Sequence, residues 1–132
     1  MSTLVHNHVK NDLEAQLIAQ FEVRKLDDQQ LLVTPLLYPD SSHVNLYVEE
    51  LAGGRIAVTD NGEAADYVWV LGVSETAIED RVRRARRQFR LLSADDDGLR
   101  FEGSRDHLAE AIFDVAAAVQ DVASLVYQNR DY

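Results

Sequence analysis

The chain has 132 residues, 46% of them hydrophobic and 27% charged, which suits one domain spanning 1–132 with one core and leaves little room for two. Lys and Arg total 13 against 23 Asp and Glu, and the net charge of -10 argues against a general nucleic-acid coat or a binder of anionic membranes. No apolar run approaches the roughly 20 residues of a membrane span, and the opening MSTLVHNHVK lacks a signal peptide's basic start and apolar stretch, so cytoplasmic residence is the expectation.

With no cysteine there is no disulfide framework, thiol nucleophile or thiolate metal cage. The basic residues are 11 Arg and 2 Lys, and they are unevenly placed. Residues 67–92 carry 6 basic and 3 acidic groups, a basic island between two acidic flanks. The two prolines, Pro35 and Pro39, share one short stretch, and neither a linker nor an internal repeat divides the chain.

In chain order, Asn11 and Glu14 have capping-box spacing, and Leu13, Leu17 and Phe21 share a helical face, predicting a helix over about 12–23 that ends before Asp27 and Asp28. Leu31 to Thr34 reads as a short strand stopped by Pro35. Val44, Leu46 and Val48 alternate with Asn45, Tyr47 and Glu49 as in a half-buried strand, Ala52-Gly53-Gly54 turns, and Arg55 to Thr59 returns as an antiparallel partner. After Thr59-Asp60-Asn61-Gly62 comes a short apolar helix ending near Gly72. Thr76 and Glu79 then form a second capping box for a helix reaching about Phe89. Residues 90–93 and 99–102 are expected to form a small hairpin around Asp95-Asp96-Asp97-Gly98. From Ser104 onward, Leu108, Ile112, Val115, Val119, Val122 and Val126 recur at helical spacing, predicting a long C-terminal helix. This order is no βαβ series. It predicts an α+β fold, an antiparallel sheet of a three-strand meander plus a small hairpin, with helices on one face.

The run from Val33-Thr34-Pro35, through Val44 to Val48 and the glycine turn, to Ile56-Ala57-Val58-Thr59-Asp60-Asn61-Gly62 resembles the bacterial and phage domain of unknown function family 1828. The similarity extends into the C-terminal helix, and its most specific piece is the strand ending in Thr-Asp-(Asp/Asn)-Gly. The resemblance implies a small stand-alone domain found partly on phages and mobile elements, with no established activity and no catalytic residues to carry over. The arginine content departs from the family's pattern.

Candidate chemistry is sparse. No glycine pair matches a nucleotide-binding fingerprint. Asp60 and Gly62 could ligate a cation, but a carboxylate accepting free amides and a glycine relieving a turn explain the pair more simply, as a structural turn motif. Asp40 with Glu49-Glu50 resembles the acidic pairing of magnesium nucleases but lacks the following lysine, Leu51 and Ala52 standing there instead. Ser93, Asp95 and Asp97 fit the start of a calcium loop whose twelfth position, Ser104, lacks the required glutamate. His6 and His8 are spaced as a pair, whereas His43 and His107 are isolated. The expectation is no metal, no cofactor and no catalytic set, and an enzyme is disfavoured.

Ile78, Val82, Ala85 and Phe89 form the predicted buried stripe of the arginine helix, leaving Arg83, Arg86, Arg87 and Arg90 toward solvent as candidate partner-binding residues. Glu79 and Asp80, four residues before Arg83 and Arg84, can neutralise part of the island. On the C-terminal helix, Ala109, Phe113, Ala116, Ala123 and Tyr127 trace a side beside the core stripe, suggesting self-association as a homodimer, with cover by another helix of the chain as the alternative. Together these features favour a non-enzymatic acidic module that binds and modulates a protein partner. Nucleic-acid binding by the arginine helix ranks second and a metal-dependent hydrolase last.

Overall fold

The computed structural model describes residues 20–94, 96 and 98–128. Five antiparallel strands run in sequence order across one sheet: β1 (Glu22–Lys25), β2 (Gln30–Leu37), β3 (His43–Glu50), β4 (Arg55–Thr59) and β5 (Arg100–Ser104). Helices α1 (Glu63–Val70) and α2 (Glu75–Gln88) lie between β4 and β5, and α3 (Leu108–Ala123) and the single turn α4 (Leu125–Gln128) follow β5. This is the α+β architecture expected, with a long C-terminal helix.

Most of the predicted helix over 12–23 lies outside the described residues, but its end is corrected, because Glu22–Lys25 is strand β1 with Val23 opposite Leu32. All four residues are exposed on an edge strand, where charge blocks further pairing and hides the period of two. Strand β2 does not stop at Pro35. The register shifts between Val33 and Leu37, and Thr34 bridges the gap. Its hydroxyl donates to the Val44 carbonyl (2.9 Å) and accepts from the Leu36 amide (3.1 Å), while the His43 ring Nδ1 lies 2.7 Å from its carbonyl.

The predicted hairpin of 90–93 with 99–102 is also corrected. Arg100–Ser104 pairs with the outer edge of β4 as a fifth strand of the meander, and only the Leu92 amide reaches back, to the Arg100 carbonyl at 2.8 Å. The cap of α2 falls two residues before Thr76, at Ser74, whose hydroxyl accepts from the Ala77 amide at 3.2 Å.

One sheet face carries Leu32 opposite Leu46, and Val48 opposite Val58, which in turn is opposite Phe101. Helix α3 crosses β3, β4 and β5 on it, and α1 and α2 pack against α3. Ala111, Ala116, Ala118 and Ala123 are buried along α3, so its backbone can approach its neighbours closely. The other face buries Ala57 and Thr59 beneath long polar side chains. Arg100 and Tyr47 flank Thr59 in register, and Arg100 bonds both Glu49 (3.0 Å) and Glu102 (2.8 Å), which flank Ala57.

Helix α3 ends where Asp121 is diverted. Its carbonyl accepts from the Ser124 hydroxyl (2.6 Å) and from Arg81 (3.0 Å), and the Arg81 guanidinium also bonds the Asp121 carboxylate (3.3 Å), the Ser124 hydroxyl (3.1 Å) and Gln128. Arg81 is thus a buried staple between α2 and the α3–α4 break. Replacing it by Met keeps the aliphatic stem and removes every donor, so Arg81→Met is expected to lower unfolding free energy by about 2–3 kcal/mol, measured as a reduced urea midpoint with an unchanged slope.

Candidate functional site

The basic island divides once it is folded. Arg83, Arg84, Arg87 and Arg90 are exposed, as the helical pattern requires, but Arg86 is only 9% exposed, which corrects its assignment to the solvent side. Its guanidinium donates to the carbonyls of Ala94 (2.9 Å), Asp96 (2.6 Å) and Gly98 (2.7 Å), holding the loop before β5 against α2. Arg83 pairs with Asp80 at 3.2 Å on the surface.

The proposed self-association face is also redistributed. Ala116 and Ala123 are buried in the chain's own core, Phe113 meets Phe21 edge-on with ring centroids 6.4 Å apart, and Tyr127 is exposed on α4. The first two therefore cannot present a surface to another copy.

Asp60 is fully buried at the junction of β4 and α1. One carboxylate oxygen accepts from the amides of Gly62 (2.9 Å) and Leu99 (3.0 Å), the other from Ala64 (3.0 Å), and the Asp60 amide donates to the Leu99 carbonyl (3.1 Å). Gly62 sits at φ 78, the left-handed conformation that glycine adopts without strain. Burial pushes the Asp60 pKa up from the usual aspartate range, and the three amide donors pull it back. With both carboxylate oxygens engaged by backbone amides, the geometry is that of a helix cap extended to a second strand.

The acidic pairing considered for a nuclease does not assemble. Asp40 lies in the β2–β3 turn and Glu49-Glu50 at the far end of β3, roughly 20 Å away at the usual rise per residue. Asp40 accepts from the Ser42 amide (2.9 Å) and hydroxyl (2.6 Å), which hold its carboxyl below the usual range. Among the described residues no group of three or more His, Cys, Asp or Glu side chains comes together as a metal site. His6, His8, Asp95 and Asp97 lie outside the described residues, and His107 is on the surface near Glu110 at 3.8 Å.

The structure brings together instead a set that sequence reasoning passed over. The β2–β3 turn and α1 flank an open groove of about 600 Å³, lined by Tyr38, Asp40, His43, Glu63, Asp66 and Tyr67 among others. Tyr38 and Tyr67 stack at 4.7 Å with an interplanar angle of 29°. At the groove's end the backbone leaves α1 through Trp69, Val70 and Leu71, which are 64%, 75% and 53% exposed. The one available signal was the unbroken apolar run Tyr67-Val68-Trp69-Val70-Leu71, more apolar surface than one face of a short helix can bury.

Comparison with known proteins adds one finding. A family model, Domain of unknown function DUF1828, matches residues 34–122, from the Thr34 bridge to the last turns of α3. No curated protein and no solved structure matches the chain. No helix among the described residues is long and apolar enough to cross a membrane.

Two outcomes follow from this geometry. Asp60→Ala strands three amides, and it is expected to cost about 3 kcal/mol, whereas Asp60→Asn keeps the acceptor shared by Gly62 and Leu99 and is expected to cost about half as much. Urea unfolding of the two variants measures the difference. Burial pushes the Tyr47 hydroxyl up to about 12 and raises Tyr38 and Tyr67 as well. A phenol whose folded pKa is raised contributes stability that is complete below the unfolded value near 10 and is lost as pH rises through the folded one. Unfolding free energy is therefore expected to fall between about pH 10 and about pH 12. Ultraviolet titration should show these three tyrosines ionising above the ordinary phenol value near 10. Normal ionisation of all of them in the folded protein contradicts the assignment.

Proposed function

The chain belongs to the family Domain of unknown function DUF1828, and we propose that it is a non-enzymatic, acidic, cytoplasmic protein-interaction module that modulates a protein partner. The association with phages or mobile elements implied by the family resemblance is part of this reading. The observation that carries it is the contiguous exposure of Trp69, Val70 and Leu71 beside a groove whose charged side chains are the carboxylates of Asp40, Glu63 and Asp66. Apolar groups rimmed by charge of one sign favour a protein surface of the opposite sign. The net charge of -10 extends that preference over long range. The partner is therefore a basic protein, which a nucleic-acid-handling protein would satisfy.

A second reading, direct nucleic-acid binding by α2, retains Arg83, Arg84, Arg87 and Arg90 on the exposed side, with Arg84 and Arg87 in no ion pair among the described residues. It ranks lower because Arg86 is engaged by the chain's own backbone and the phosphate backbone would be repelled by the remainder of the surface.

Affinity capture from the native host, quantified by mass spectrometry, tests the leading reading. The parent is expected to enrich a basic protein that a Trp69→Ser/Leu71→Ser variant loses, both side chains being exposed and expendable for folding. Equal capture by the two proteins overturns it. Recovery of nucleic acid by the parent, abolished by Arg84→Glu/Arg87→Glu and unaffected by the Trp69 and Leu71 changes, puts the second reading in its place.

A further inference from the structure

We propose that the groove between the β2–β3 turn and α1 is a subsite for one arginine side chain presented by the partner polypeptide. This deepens the protein-interaction reading and rests on it for the identity of the occupant. One atom outside the carboxylate set, the Tyr38 hydroxyl, and one oxygen within it point to a ligand with several donors. Among the described residues, Tyr38, a groove residue 8% exposed, has a buried hydroxyl with no hydrogen-bond partner, and Glu63, whose carboxylate also interacts with the Tyr47 hydroxyl, carries a shielded oxygen, Oε2, with no partner. Buried polar atoms are nearly always paired in folded proteins, so two unpaired acceptors in one groove define what an occupant must supply.

A guanidinium meets these requirements in a way an ammonium does not. Its five N–H groups lie in one plane and can reach two separate acceptors at once, and the same plane stacks on an aromatic ring. Tyr67, half-buried and already stacked on Tyr38, lines the groove with such a ring. Glu63 and the exposed Asp66 stand at the first and fourth positions of α1, one above the other on the same face, and Asp40 faces them from the turn. The Asp40 carboxylate is pinned by Ser42, so it contributes charge at the rim and not an orphan acceptor. His43, also a lining residue, is tethered through Nδ1 to the Thr34 carbonyl of β2. The exposed Val70 and Leu71 continue the groove along the path the partner's backbone would take.

The test titrates the full chain with N-acetylarginine methylamide and, separately, with its neutral isostere N-acetylcitrulline methylamide, followed by two-dimensional NMR of the backbone amides and tyrosine rings. A single side-chain contact is expected to bind in the millimolar range. The arginine compound should give saturable shifts centred on Tyr38, Glu63 and Tyr67 and the citrulline compound should not. Glu63→Gln should weaken the arginine compound about tenfold, the loss expected of one charge-assisted hydrogen bond. Asp66→Asn, on the exposed rim and safe for folding, should weaken it less. Equal binding of both compounds, or shifts that map to another surface, or no saturable shift overturns the subsite. So does a response to magnesium or zinc chloride at the same residues that excludes the arginine compound. If the probe fails while the Trp69→Ser/Leu71→Ser variant still loses its partner, only the subsite is wrong. If the probe succeeds while that variant captures the same proteins as the parent, the fault lies in the broader reading. Should the occupant be an arginine of a second copy, sedimentation will show a dimer that the arginine compound dissociates, which supports the subsite and identifies its partner.

Discussion

The buried carboxylate of Asp60 is the constraint on which the arrangement of the remaining elements depends. It joins the end of β4 and the first turn of α1, which follow one another in the chain, to the residue entering β5, 39 residues from Asp60, through amide bonds of 2.9 to 3.0 Å. Burying a charge is unfavourable, and here the cost is offset only because backbone donors replace the lost water. The consequence is geometric. With the amides of Gly62 and Ala64 tied to one side chain, α1 leaves the sheet in a set direction, and with Leu99 tied to the same side chain, β5 enters alongside β4 in register. Helix α3 then lies over β3, β4 and β5 with α1 and α2 packed against it.

The arginines of α2 show how a single helix can hold both structure and surface. On the helical wheel Arg81 lies about 40° beyond Ala85 and Arg86 about 40° beyond Val82, so the two flank the apolar stripe closely on either side. A flanking position with a long side chain can reach over the edge of the stripe to backbone carbonyls on a neighbouring element. Arg81 reaches the end of α3, and Arg86 reaches the carbonyls of Ala94, Asp96 and Gly98. In both cases a cation meets carbonyl oxygens that accept from no backbone amide among the described residues, which is the partner such groups need when their own segment is irregular. The acidic flanks of the sequence are thus only part of what balances the basic island.

What the sequence disclosed and what it withheld follow from one distinction, between signals carried within a segment and signals that exist only between segments. Val44, Leu46 and Val48 alternate within eight residues, and the double glycine at 53 and 54, both with positive φ, closes the hairpin to β4. The stripe from Leu108 to Val122 is likewise internal to its helix. Strand β5 was misassigned because Arg100-Phe101-Glu102 has no preference between a local hairpin and the open edge of β4, and the ladder to β4 decides it. Pro35 reads as a strand terminator until Thr34 supplies bonds that let the sheet continue past it. The groove combines residues 38–45 with 63–71, and neither stretch holds a motif. For Asp60, the amides of Gly62 and Ala64 are adjacent in sequence and could be anticipated as a cap, while Leu99, 39 residues away, could not.

The exposed end of α1 follows from the same constraint that orders the fold. Five consecutive apolar residues, Tyr67 to Leu71, cover every direction around a helix, so a helix packed on one side must leave some of them in water. Rotation could choose which, but Asp60 holds the first turn and Gly72, at φ 93, turns the chain immediately after. Ala64, Ala65 and Val68 therefore face the core, and Trp69, Val70 and Leu71 cannot follow them. A fold stabilised for its own sake would place polar residues at those three positions at no loss of packing. Their apolar character is a cost in solubility that the core does not require, and it coincides with the groove in which two buried polar atoms lack partners among the described residues. Both features become favourable together when a polypeptide bearing a cationic side chain covers them, because burial of the apolar rim strengthens the electrostatic contact within.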